Sequence, residues 1–326
     1  MCDLVLLGIL TGAWTRFTDD VRRGLALAGR PDEAVSSPDV RAAATAFRYA
    51  RGLVSAAEFT TWLRERALTL TELSDALTRQ LHEERAGDDA GDRAGDAELA
   101  AVLRVEAFCR GTLDWLASAA TDRLAAADRL GQRAPAAPDP ERVQAALRDA
   151  LGQTAAGLPE FGEAELRRRL ERLVAVDAAL AQLREEVASP EEVGQCLASH
   201  RLDWLRCSGD ELAVAELGAA REARLLVRDD GLALDAVAER AGTPLQSRSA
   251  YLEDLPPEAV AAFAAAAPGE VVGPWLQDAR WHVLVLKEKT APTAADATLR
   301  RRAAEELLEV VLERHKAGRS ERLCVL

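Results

Sequence analysis

The sequence predicts a mostly α protein: a helical N-terminal bundle over 1–199, an α+β domain over 200–290, and a C-terminal segment, 291–326, whose helix packs back on the bundle. Three observations carry that expectation. Ala and Leu dominate, with Arg and Glu beside them, and these are the strongest helix formers. Helix start signals recur throughout the first domain. After residue 200 the pattern changes to short runs bounded by Gly and Pro, the punctuation of strands and turns. A length of 326 residues fits about two domains, and 48% hydrophobic content is enough to fill their cores.

In the first domain the helices can be read one by one. Ser37-Pro38-Asp39 offers an N-cap, a proline at the first helical position and a carboxylate for the helix dipole. Ser55-Ala56-Ala57-Glu58 and Thr69-Leu70-Thr71-Glu72 are capping-box patterns that open a helical hairpin over 55–66 and 70–84. Phe59, Trp62 and Leu63, then Leu73, Leu77 and Leu81, recur at helical spacing and face a core. The AGDx repeat at 86–97 has no apolar anchor and reads as a flexible solvated loop. One long helix follows over 97–130, with Leu99, Leu103, Phe108, Leu113 and Leu116 among its apolar positions. A second linker spans 131–140, helices follow over 140–155 and 163–187, and Ser189-Pro190-Glu191-Glu192 starts another that ends near His200.

The second domain begins with a strand over 202–207. Helices over 210–229 and 232–241 follow, the first stopping at Gly231 and the second at Gly242. Residues 244–252 alternate like an edge strand, and Pro256 to Ala267 form a third helix. Two strands complete the domain, Val271–Trp275 after Pro268-Gly269-Glu270, and Arg280–Lys287. The order is β-α-α-β-α-β-β, closed by a helix over 294–317.

Composition excludes some functions. A formal charge of −13 argues against a nucleic-acid partner, because no stretch concentrates Lys and Arg for phosphate neutralisation. Arg167-Arg168-Arg169 and Arg300-Arg301-Arg302 sit among Glu residues as solvated helix faces. The five cysteines (Cys2, Cys109, Cys196, Cys207, Cys324) include no CxxC pair, so neither a zinc site nor a disulfide framework is indicated, and no metal or cofactor is expected. Cys207 beside Ser208 has no activating group placed near it in sequence and reads as a small buried apolar residue. The apolar run Leu4–Leu10 lacks a basic flank and is too short to span a bilayer, so no membrane partner and a cytoplasmic, reduced setting are expected.

The stretch Pro268-Gly269-Glu270-Val271-Val272-Gly273-Pro274, then Trp281-His282-Val283-Leu284-Val285, resembles the end of a parvulin-type peptidyl-prolyl isomerase domain. Ala220–Ala223 through Gly231 to Val237-Ala238 is similar to that family's first two helices. The layout of helical segment, parvulin-like domain and closing helix looks like the SurA-type chaperone/isomerases. Phe47–Glu58 with Trp62-Leu63 is similar to cytoplasmic PpiC-related peptide maturation proteins of ribosomal peptide pathways.

The resemblance implies a site. His282 matches the family's last-strand histidine, and Ser199-His200-Arg201-Leu202 its first-strand motif, so the two could pair beneath a cleft if their strands are neighbours. A prolyl isomerase needs no strong base, because the barrier of about 18–20 kcal/mol reflects amide resonance, which a twisted, apolar setting weakens. Trp275, Trp281, Tyr251, Phe263 and Gln277 are the candidates for gripping a peptide. His282 also reads as a satisfied core histidine retained for the fold, the tryptophans as ordinary core fillers, and Gln277 as a turn residue. The family's glycine pair is replaced by Gly242-Thr243-Pro244-Leu245, and the proline-gripping aromatic would fall near Ala259 or Val260. The expected function is therefore a peptide-binding chaperone or accessory protein with a degenerate parvulin-like domain. Its partner is a peptide or unfolded polypeptide, such as a precursor peptide with its modifying enzyme. The alternatives are an active isomerase, another peptide-modifying enzyme, and a helical scaffold.

Overall fold

The N-terminal helices are α1 (Cys2–Leu10), α2 (Ala13–Ala28), α3 (Ser37–Ala50), α4 (Ala56–Glu65), α5 (Leu70–Ala86), α6 (Asp96–Cys109), α7 (Thr112–Leu130), α8 (Pro140–Gly152) and α9 (Glu163–Val187). They are seen in a computed structural model that describes residues 2–28, 35–86, 95–133, 137–152 and 161–317. Most of the AGDx repeat, part of the 131–140 linker, the end of the 140–155 helix and Cys324 lie outside the described residues.

Capping places these helices. Ser55 Oγ accepts from the Glu58 N–H (3.1 Å) while Glu58 Oε2 accepts from the Ser55 N–H (2.7 Å). Thr69 and Glu72 repeat the box ahead of α5 (3.2 and 2.7 Å). The cap of α3 is Ser36 rather than Ser37, since it is Ser36 Oγ that accepts from the Asp39 N–H (3.4 Å). The helix expected over 97–130 is two, α6 and α7, because Gly111 turns into the left-handed region (φ +72°) that ends a helix. The short apolar run at the N-terminus is a core helix, with Leu6 and Leu7 fully buried.

Two apolar clusters fill this unit, Met1–Leu183 with Arg314–Leu326. One joins Leu6, Trp14, Leu103, Leu116, Leu147 and Leu170 from α1, α2 and α6–α9. The other joins Phe47, Trp62, Leu63, Leu73 and Leu77 around the predicted hairpin. Among the described residues no helix is long and apolar enough to cross a membrane.

The second unit, Arg184–Glu313, holds α10 (Pro190–Ser199), β1 (Arg206–Val214), α11 (Leu217–Arg228), α12 (Leu234–Ala241), β2 (Gln246–Tyr251), α13 (Pro257–Ala265), β3 (Val271–Gln277), β4 (Arg280–Thr290) and most of α14 (Ala297–Ala317). The boundary falls within α9 rather than at 199/200, because α10 packs Val193, Cys196 and Leu197 against Trp204 and against Leu299 and Ala303 of α14. Only the end of α14 joins the bundle, where His315 Nε2 meets Asp128 Oδ2 at 2.7 Å.

The four strands form one antiparallel sheet in the order β2-β1-β4-β3, with the predicted β-α-α-β-α-β-β succession. β1 lies four residues later than expected at its start and extends through 210–214, which had read as a helix. Asp210 and Glu211 imitate the acidic first turn of a helix, yet Glu211 is 5% exposed and its charge is met by other strands. One face of the sheet packs Val283, Leu212 and Val214 against α11 and α12. The other packs Leu284, Leu286 and Trp275 against Phe263 and Ala259 of α13.

Candidate functional site

The site on the α13 face is set by two irregularities in the last hairpin. Val272 pairs with Leu284 and Trp275 with His282, so Gly273 and Pro274 together face Val283 alone, a β-bulge. A Cβ at Gly273 would lie 2.6 Å from the His282 carbonyl, and its φ is +115°, so the bulge requires glycine. The extra residue shifts the two-residue alternation by one and brings Trp275 to the same face as Val272 and His282. The strands then turn through Asp278 (φ +48°) and Ala279 (φ +59°), both left-handed as in a two-residue type I′ hairpin.

His282 is held at both ring nitrogens. Nε2 donates to the Gln277 carbonyl (3.1 Å), which can only accept. Nδ1 lies 3.0 Å from Glu211 Oε1 on the adjacent β1, a contact that requires one proton between the two atoms. Arg248 of β2 reaches across β1, donating from Nη1 to Glu211 Oε1 (2.7 Å) and from Nη2 to Gln277 Oε1 (2.6 Å). All four strands thus contribute to one polar chain. Trp275 roofs it, stacked on the His282 ring at 5.5 Å, edge-on to Phe263 at 5.1 Å, with the Arg248 guanidinium 5.6 Å from its centroid. Trp275 and His282 are 2% and 8% exposed, and the Trp275 indole N–H is buried without a hydrogen-bond partner. Cys207 belongs to the same apolar layer, and burial pushes its thiol pKa up, which keeps it protonated and inert.

His282, Trp275, Phe263 and Gln277 therefore come together, and the remaining candidates do not. β1 and β4 are neighbours as the pairing of His200 with His282 requires, but they are antiparallel. Arg206 pairs with Thr290 at one end of the ladder and Ala213 with His282 at the other, and His200 precedes β1 altogether. Trp281 pairs with Leu276 and faces α11 and α12, on the opposite side of the sheet from Trp275, because successive strand residues alternate. It lines a cavity of about 490 Å³ with Gly273, Pro274 and Arg221, Arg224 and Arg228 of α11. Tyr251 ends β2 at the Arg206 end, where its hydroxyl donates to Asp296 Oδ2 (2.7 Å) beneath the Arg302 guanidinium.

His200 has surroundings of its own. It caps α10, stacks on Trp204 (4.5 Å between centroids), and places Nε2 2.9 Å from Glu306 Oε1 of α14. Hydrogen bonding to Glu306 holds its ring above the ordinary histidine value of 6.5. Cys196, one turn earlier, lies with its Sγ 3.8 Å from Glu306 Oε2, and burial together with that carboxylate pushes the thiol up to about 11. Cys196, His200 and Glu306 are the group of side chains, among the described residues, with the donors to hold a metal ion.

Sequence reasoning missed Glu211, Arg248, Cys196 and Glu306 as site residues. Glu211 shares the buried phase of Cys207 in β1, where a carboxylate needs a cationic or hydrogen-bonding partner, but that phase exists only because 210–214 is strand rather than the expected helix. Fold and site define a mostly α protein whose small antiparallel α+β unit carries a buried histidine–carboxylate–guanidinium chain on one sheet face. No protein-family model matches the chain, and no curated protein matches it.

Proposed function

We propose that this protein is a peptide-binding accessory protein whose parvulin-like unit keeps the scaffold of a prolyl isomerase and has given up its catalysis. The observation that carries this reading is the restraint on His282. Both ring nitrogens are engaged by Glu211 and Gln277, and the ring lies against a buried Trp275. A histidine occupied in this way braces a sheet and has no nitrogen left to offer a substrate amide. The expected second histidine is elsewhere in the fold, and the third-helix positions 259 and 260 carry no aromatic side chain.

Peptide capture is supported by β2. It is an outer strand, and among the described residues no strand pairs with its free edge. Gln246, Ser247 and Ser249 are exposed along it. Such an edge offers main-chain donors and acceptors to an extended peptide, which joins as a fifth strand. The resemblance of Phe47–Glu58 to peptide maturation proteins supports a ribosomally made precursor peptide as the client.

The test combines two measurements on the full chain. Titration with unstructured precursor-like peptides should protect the β2 amides from hydrogen exchange, while a protease-coupled assay shows no acceleration of proline isomerisation. Full-rate isomerisation abolished by His282→Ala would overturn the reading in favour of an active isomerase. Absence of peptide binding would leave a structural scaffold.

A further inference from the structure

We propose that Cys196, His200 and Glu306 form a zinc site with three protein ligands and water in the fourth position. Their donor atoms all lie within 4.8 Å of one another. In a tetrahedral zinc site, bonds of about 2.0 Å to N or O and about 2.3 Å to S put N and O about 3.3 Å apart and S about 3.5 Å from either. Glu306 already stands 2.9 Å from His200 Nε2 and 3.8 Å from Cys196 Sγ, using a different carboxylate oxygen for each. The sulfur–nitrogen gap, at most 4.8 Å, closes by about 1.3 Å at most, within the sweep of one side-chain torsion.

The backbone explains why the two helix residues converge. The His200 N–H donates to the Cys196 carbonyl (3.1 Å), so the helical turn persists through the cap and side chains at i and i+4 leave the same face. The surroundings follow metal-site logic. Asp203 Oδ2 lies 3.5 Å from His200 Nδ1, the position of a carboxylate that orients a metal-bound imidazole through its other nitrogen. Trp204 fixes the ring plane by stacking, and its own N–H is anchored on Glu253 Oε2 (2.8 Å). Cys196 is buried, whereas His200 and Glu306 are partly exposed, which leaves an ion a route in from solvent. One sulfur, one imidazole and one carboxylate suit Zn²⁺, and the sulfur disfavours Mg²⁺ and Ca²⁺, which take oxygen ligands.

The test uses the full chain, stripped by chelator and titrated with Co²⁺ as a spectroscopic stand-in for zinc. One Co²⁺ per chain should bind, with a thiolate-to-cobalt charge-transfer band and the intense visible bands of a four-coordinate ion, and Zn²⁺ should displace it. Cys196→Ser should abolish the charge-transfer band, while Cys207→Ser, which removes a thiol buried in the sheet, leaves it intact. Asp203→Asn should weaken binding by roughly 10–100-fold. Failure to bind Co²⁺ at equimolar concentration, or a band that survives Cys196→Ser, would overturn the proposal. If Cys196→Ser fails to fold, Glu306→Gln, which preserves volume, decides: unchanged affinity refutes the site and leaves a hydrogen-bonded clip between α10 and α14.

Discussion

Replacing Glu211 by glutamine tests whether the polar chain on the sheet is an integral support of the fold. The carboxylate accepts from Arg248 at 2.7 Å and meets His282 at 3.0 Å, with side-chain exposures of 6%, 17% and 10% for the three groups. Glutamine keeps the shape and removes the charge. The Arg248 bond keeps a charged donor but loses its charged acceptor, and the His282 bond loses the same carboxylate, so each weakens within or below the charge-assisted range of about 1.5–3 kcal/mol. Arg248 is then left with an unmatched charge, a loss that reaches about 3–5 kcal/mol for a fully buried pair. Partial exposure of Arg248 reduces that penalty, so Glu211→Gln should cost about 2–4 kcal/mol. Native-state hydrogen exchange of the β1 and β4 amides in the full chain reads this locally, and protection should drop roughly 30- to 1,000-fold, since about 1.4 kcal/mol is tenfold. A cycle with Arg248→Met should show strong coupling. A loss below about 0.5 kcal/mol, the range of ordinary surface substitutions, with additive variants would refute the reasoning.

Three further outcomes follow from the structure. Gly209→Ala should destabilise the β1/β4 ladder by about 3 kcal/mol, because its Cβ would lie 2.2 Å from the Val285 carbonyl; unchanged exchange of the β4 amides would contradict this. Ala279→Gly relieves a left-handed alanine costing about 1–2 kcal/mol, against about 0.4–1 kcal/mol for a freer unfolded chain, so the urea midpoint should rise. The Tyr251 hydroxyl bond holds the Asp296 carboxyl below its ordinary 3.8; its stabilisation is present above that value and is lost as pH falls through the lower folded value. Tyr251→Phe should therefore flatten the acid limb of the stability profile, and an unaltered limb would count against the pairing.

Local signals made the helices legible. Serine or threonine followed three residues later by glutamate satisfies the first N–H groups of a helix without help from elsewhere, so Ser55 and Thr69 announce α4 and α5 unaided. Gly242 and Pro268-Gly269 likewise mark the ends of α12 and α13. The misread segments depend on distant partners. Glu211 belongs in a strand because Arg248, 37 residues away, and His282, 71 away, meet its charge. The break at Gly111 needed knowledge that the backbone is left-handed there, which an Arg-Gly pair within an apolar-periodic run does not disclose. His200 shares a site with Glu306 across 106 residues, and motif spacing does not see that distance.

The bulge at Gly273-Pro274 acts on β3 as a shift of reading frame. Upstream and downstream of it, odd and even positions exchange sides, so Val272 and Trp275 share a face although they are three residues apart. A one-residue deletion at this point would send the indole to the side occupied by Trp281 and leave His282 without its roof. Any chain compared with this one across 271–277 must therefore keep the same number of residues there before its aromatic can be equated with Trp275.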